Sequence, residues 1–181
     1  MKKFWILAIV VMLLIPLYIA LFPISETVNV ENSYVATSTT SAAFANGGFW
    51  CVEADLEKVP GVLTAVSGYA DGTGENPMYE DYAERGFREV VEVTYDPEIV
   101  SYEKLVEHII KHGDPTDGEG SFYDRGFEYS PAIYFDTAEE KVIAEKVIAQ
   151  VNAKKIFDTP LAIVVVPRGA FWPAEDYHQD Y

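Results

Sequence analysis

The hydrophobic and polar positions divide the chain into three parts. Residues 4–22 carry no charged side chain and follow Lys2 and Lys3. Residues 25–40 are rich in Ser, Thr, Asn and Glu and show no helical period. From residue 41 onward, short apolar runs alternate with amphipathic stretches. The first part is close to the roughly 20 residues needed to cross a bilayer. It closes on Leu21, Phe22 and Pro23, with no small-residue cleavage site, so residues 1–24 are expected to be an uncleaved membrane anchor and not a signal peptide. Lys2 and Lys3 place the N-terminus in the cytoplasm by the positive-inside bias, which predicts a single-pass membrane protein with its domain extracytoplasmic. Residues 25–40 read as a tether.

In residues 41–181 the pattern predicts a regular alternation. Ala42–Ala45 is a short strand that runs into Asn46-Gly47-Gly48. Trp50–Val59 is a helix, with Glu53, Asp55, Glu57 and Lys58 on its wet face and Pro60-Gly61 ending it. Val62–Ala70 and Glu89–Tyr95 are strands, the second β-branched and stopped by Asp96-Pro97. Ser101 is an N-cap, and Tyr102, Leu105, Val106, Ile109 and Ile110 form the stripe of an amphipathic helix ended by Gly113. Asp114–Glu128 is a long loop, and long loops are usually functional. Ala132–Phe135 is a strand, and Thr137 with Glu140 makes a capping box. A helix follows with Val142, Ile143, Val147, Ile148 and Val151 inward. Leu161–Val166 is a fully buried strand, and Phe171–Tyr181 an aromatic, acidic tail. Strands alternating with single helices argue an α+β domain, a two-layer sandwich with a mixed β-sheet and a ferredoxin-like core.

Composition narrows the function. The chain has 181 residues, 49% of them hydrophobic, enough for one domain with a real core. Its formal net charge is −16, which makes nucleic acid an unsuitable partner, since phosphate binding needs clustered Lys and Arg. One cysteine, Cys51, excludes an intramolecular disulfide. His108 and His112 share a helix face, but no third ligand stands at metal-site spacing. The glycines around Asp71 make no phosphate loop, so neither metal nor organic cofactor is expected.

The candidate chemistry begins at Gly47-Gly48-Phe49-Trp50-Cys51, a strand-to-helix turn. Such a turn leaves backbone N–H groups whose partial positive charge favours a thiolate or an oxyanion. This segment resembles the active-site signature of the A-type peptide methionine sulfoxide reductases. The resemblance runs in order through Asn76-Pro77-Met78-Tyr79, Gly86-Phe87-Arg88-Glu89-Val90-Val91, Tyr95-Asp96-Pro97, Asp114-Pro115-Thr116, Asp124–Tyr129 and Ala174–Gln179. It covers roughly residues 40–181. It implies reduction of methionine-S-sulfoxide, free or in peptides, to methionine, as repair after oxidation, with a thioredoxin-like thiol reductant.

The resemblance also assigns roles. Glu89 is the acid that protonates the leaving oxygen, a role a carboxyl in a partly apolar pocket can fill. Alone, it reads as an exposed strand carboxylate. Tyr79 and Tyr129 are donors to the oxygen, Asp124 an organiser, and Phe49 with Trp50 the pocket for the S-methyl group. The family's nucleophilic cysteine falls on Gly48, which has no side chain. Three consequences stay open: Cys51, one helical turn on, substitutes; the pocket binds sulfoxide without reducing it; or residue 48 is another residue in the chain made by its own host.

Overall fold

The computed structural model describes residues 36 and 38–181. The expected anchor, 1–24, and nearly all of the tether lie outside the described residues. Among the described residues, no helix is long and apolar enough to cross a membrane.

Strands β1 (Thr40–Ala45), β2 (Val62–Ala70) and β3 (Arg88–Tyr95) form the centre of the sheet. Helix α1 (Phe49–Leu56) connects β1 to β2, and α2 (Tyr102–Lys111) follows β3. A small hairpin, β4 (Gly120–Ser121) and β5 (Asp124–Arg125), and a 3-10 turn at Phe127–Tyr129 occupy the predicted long loop. Then come β6 (Ala132–Phe135), α3 (Ala138–Ala153), β7 (Val164–Pro167), β8 (Trp172–Pro173) and a 3-10 turn at Asp176–His178.

The six-stranded sheet has the order β7-β6-β1-β3-β2-β8. Its four inner strands, β6-β1-β3-β2, pair antiparallel in the ferredoxin-like order. A parallel crossover through α3 adds β7, so the sheet is mixed. Alternation on the strands sorts two faces. Phe44, Val91 and Val93 pack with Leu56 of α1, Leu105, Val106 and Ile109 of α2, and Val147 of α3. Ala43, Ala45, Val90, Ala132 and Tyr134 share the opposite face. The helices therefore form one layer and the sheet the other.

Both predicted helix caps are present. Ser101 accepts from the Lys104 N–H at 3.3 Å, and Thr137 and Glu140 close a reciprocal capping box. Three expectations need correction. Glu53, placed on the wet face of α1, is buried, because α1 lies between β2 and the C-terminal segment; its Oε1 accepts from the Ser67 N–H at 3.3 Å. Val142 of α3 is 62% exposed, since it lies about 200° around the helix from the fully buried Ala144. The run Leu161–Val166 is not a fully buried strand. Leu161 and Ala162 donate their N–H groups to Asn152 Oδ1 and the Pro115 carbonyl, and only Val164–Pro167 pair, at the sheet edge.

Candidate functional site

Three segments far apart in sequence meet at the N-terminus of α1. The first is the turn itself. Gly47 has φ +93°, and a Cβ there would lie 2.6 Å from Ser121 Cβ, so only glycine fits. Gly47 N–H donates to the Tyr129 carbonyl at 3.1 Å, which ties the turn to the second segment, the 3-10 turn that carries Tyr129. The third is β3. Its odd positions face the helices, and Glu89 therefore points beneath the first residue of α1.

Glu89 is 3% exposed. Its Oε2 accepts from the Phe49 N–H at 2.8 Å and its Oε1 from the Tyr82 hydroxyl at 2.7 Å. Burial pushes its carboxyl up to about 7; the two hydrogen bonds oppose this, and the charges of Asp124 and Glu128 add to it. The first N–H of the helix is thus already taken by Glu89. The positive end of the helix favours the ionised carboxylate and so works against the upward shift; burial is what holds the proton near neutrality.

The hydroxyls form a chain. Tyr82 has one proton, which it gives to Glu89, and its oxygen lies 3.3 Å from the Tyr129 hydroxyl. Tyr129 therefore has its own proton to offer to Tyr82 or to a ligand. Burial raises the phenols of Tyr79, Tyr82 and Tyr129 above their ordinary value, so all three remain donors at neutral pH. Tyr79 is held by its backbone, whose N–H donates to Glu175 Oε1 at 2.9 Å. Its ring lies 4.5 Å from that of His178.

Gly48, Phe49, Trp50, Tyr79, Glu89, Asp124 and Tyr129 together line one cavity of about 70 Å³. Those are seven of the eight residues singled out in the sequence. Cys51, the eighth, is exposed and lines a neighbouring cavity of about 290 Å³, which adjoins the first at Gly48 and Asp124. Gly48 has φ −62° and ψ 132°, ordinary extended backbone. A Cβ added there would lie 3.0 Å from Asp124 Oδ2 and 3.8 Å from Glu89 Oε2. A side chain at 48 would therefore point between the two carboxylates.

Arg88, one residue before Glu89, faces the other side of the sheet. It pairs with Asp71, donates to Ser130 Oγ at 3.0 Å and lies over the Phe127 ring. These contacts fix the turn that carries Tyr129.

Sequence reasoning passed over three contributors. Tyr82 bonds Glu89 directly. His178, 1% exposed, accepts the Trp50 indole N–H on Nδ1 at 3.1 Å, which places its ring proton on Nε2. Glu175 holds Tyr79 and accepts from the Tyr69 hydroxyl at 3.0 Å. His178 and Glu175 lie in a stretch that carried the resemblance, so the signal for them existed; nothing in the sequence separates Tyr82 from the other 11 tyrosines. His108 and His112 stack on each other, His112 lines the neighbouring 290 Å³ cavity and neither lines the small one, and among the described residues no group of three or more His, Cys, Asp or Glu could hold a metal ion. Two larger cavities, of about 430 and 520 Å³, lie at the C-terminal end of α3 and contain none of these residues.

The family model described as peptide methionine sulfoxide reductase matches residues 40–181. The chain belongs to the peptide methionine sulfoxide reductase family. It is 49% identical to peptide methionine sulfoxide reductase MsrA 2 of Rhizobium meliloti over 140 residues, 77% of this chain and 70% of that protein. It is 41% identical to the MsrA/MsrB protein of Vibrio cholerae over 170 residues, 93% of this chain but only 45% of that longer relative. Among solved structures, methionine sulfoxide reductase A of Corynebacterium diphtheriae shares the fold with a TM-score of 0.69 at 28% identity, over 80% of this chain and 74% of that one. Mxr1 of Saccharomyces cerevisiae in complex with Trx2 shares it with a TM-score of 0.57 at 21% identity, over 82% and 89%. The mixed sheet with packed helices expected from sequence is the α+β fold of this family.

Proposed function

We propose that the chain reduces methionine-S-sulfoxide, free or in peptides, to methionine at the 70 Å³ cavity, with a thiol as reductant. The observation that carries this reading is the convergence of a proton-holding carboxyl, two phenols and an aromatic floor around one small space. A sulfoxide is a polar oxygen on a sulfur that carries a methyl group. Phe49 and Trp50 offer the methyl group an apolar seat. Tyr79 and Tyr129 donate to the oxygen, and Glu89 supplies the proton as the S–O bond breaks. Asp124 stands beside the position from which sulfur is attacked. Preference for the S-epimer is proposed from the resemblance to the A-type family. A thioredoxin-like protein is the proposed natural reductant, in keeping with the Trx2 complex of the yeast fold neighbour. Attachment to a membrane through residues 1–24 is proposed from the sequence alone.

One observation favours a second reading. Position 48 has no thiol, so the cavity could bind sulfoxide without turning it over. Mass spectrometry of the chain from its own host reads residue 48 directly. Incubating the chain with dabsyl-methionine-S-sulfoxide, its R-epimer and dithiothreitol decides between the readings. The expected result is reduction of the S-epimer alone. Failure of both the native chain and a Gly48→Cys variant to reduce either epimer would overturn the reductase reading.

A further inference from the structure

Gly48 differs from the glycine before it. Gly47 is required by its positive φ and by Ser121; Gly48 has backbone angles open to any residue. What glycine provides at 48 is space. That space has two sides. Only Gly48 and Asp124 line both the small cavity that holds Glu89 and the larger one of about 290 Å³ beside it. The larger cavity is close to the lower end of the range for small-molecule sites. The missing side chain would point at Asp124 Oδ2 and Glu89 Oε2.

We infer that this space takes the sulfur of a low-molecular-weight thiol, entering from the larger cavity, and that this external thiol attacks the sulfoxide directly. The inference rests on the sulfoxide reading of the small cavity. Asp124 is placed to accept the proton of the incoming thiol. A bond forms between the thiol sulfur and the sulfoxide sulfur as the S–O bond breaks. The oxygen leaves as water with the proton of Glu89 and the one held on Asp124. A second thiol then attacks the sulfur of the first. A disulfide forms, the electron pair of the broken S–S bond returns to the methionine sulfur, and the second thiol's proton restores Glu89. Two thiols and one sulfoxide give one disulfide, one thioether and water. The thiols are oxidised and the methionine sulfur is reduced.

Cys51 lines the larger cavity and is the competing attacker within the chain. The two routes differ in what happens before a reductant is added. The full chain is incubated with dabsyl-methionine-S-sulfoxide, first alone and then with increasing 2-mercaptoethanol. External attack predicts no methionine product until thiol is present, then a rate that saturates with thiol, at least tenfold above the protein-free control. Gly48→Ala, whose backbone angles are allowed and whose native circular dichroism confirms folding, puts a methyl group in the space and lowers this rate at least tenfold. tert-Butyl thiol supports less than a tenth of the 2-mercaptoethanol rate. A burst of about one product per chain without thiol assigns the attack to Cys51 and overturns the inference, leaving the reductase reading intact. Equal rates for native and Gly48→Ala chains also overturn it. Turnover by Gly48→Cys but none by the native chain with any thiol overturns the inference alone. Turnover by neither overturns both.

Discussion

At the scale of the residue, the site turns on one carboxyl and one glycine. Glu89 was legible in the sequence only through the family resemblance, because a glutamate at the head of a strand is usually exposed. Its burial comes from α1 and Tyr82 closing over it, and neither contact is local in sequence. That burial makes a stability prediction. The folded-state value of about 7 lies above the ordinary 4.5, so the folded chain holds this proton more tightly than the unfolded chain. The group's contribution is fully present below about 4.5 and is lost as pH rises through about 7, a change on the order of 3 kcal/mol. Glu89→Gln cannot ionise, and its amide still offers an acceptor to Phe49 and a donor to Tyr82. It is expected to be more stable than the native chain by about 1–3 kcal/mol at pH 8 and no more stable at pH 4.5. Denaturant melts at the two pH values measure this, and equal differences at both would rule it out.

At the scale of the element, the helix starts were the most readable features, although the buried faces of α1 and α3 were partly misplaced. Ser101 and the Thr137–Glu140 box cap where their side chains say they should, since capping is a local event. The C-terminal stretch was the least readable. It looked like an aromatic, acidic tail, yet residues 172–181 fold back as β8 and a strap over α1. Gln179 is its clasp: the amide accepts from the Ser67 N–H at 3.0 Å and donates to the carbonyls of Ser67 and Ala174. Beyond it Tyr181 stacks on Trp50 at 3.9 Å, and His178 takes the Trp50 indole N–H. None of these partners is within 100 residues of the strap, apart from Ala174, so no periodicity could reveal them. Gln179→Ala removes three hydrogen bonds at once, each worth about 1 kcal/mol. Amide exchange of residues 174–181 is expected to accelerate at least tenfold while β3 stays protected. Unchanged exchange in the strap would show that its other contacts, the β8 pairing, Glu175 and the ring stack, hold it without Gln179.

At the scale of the whole molecule, the ferredoxin-like order explains why the site lies where it does. β1 and β3 are neighbours in the sheet, so the turn after β1 and the head of β3 meet at one end. The hairpin and 3-10 turn before β6, which pairs with the other edge of β1, complete the ring. The alternation of strands and helices was enough to read the class of fold. The edge position of β7 was not, because Val164–Val166 are as apolar as a central strand. The net charge of −16 belongs to the whole chain and says nothing about sulfoxides. In the proposed function the sulfoxide oxygen meets the proton on Glu89, and that is open to direct measurement. Calorimetric titration with methionine-S-sulfoxide across pH 5 to 9 is the test. Affinity is expected to be constant below about pH 6 and to weaken about tenfold per pH unit above about 7, with the slope absent in Glu89→Gln, whose amide donates at every pH. Affinity that ignores pH in the native chain, or no binding at any pH, would contradict the account.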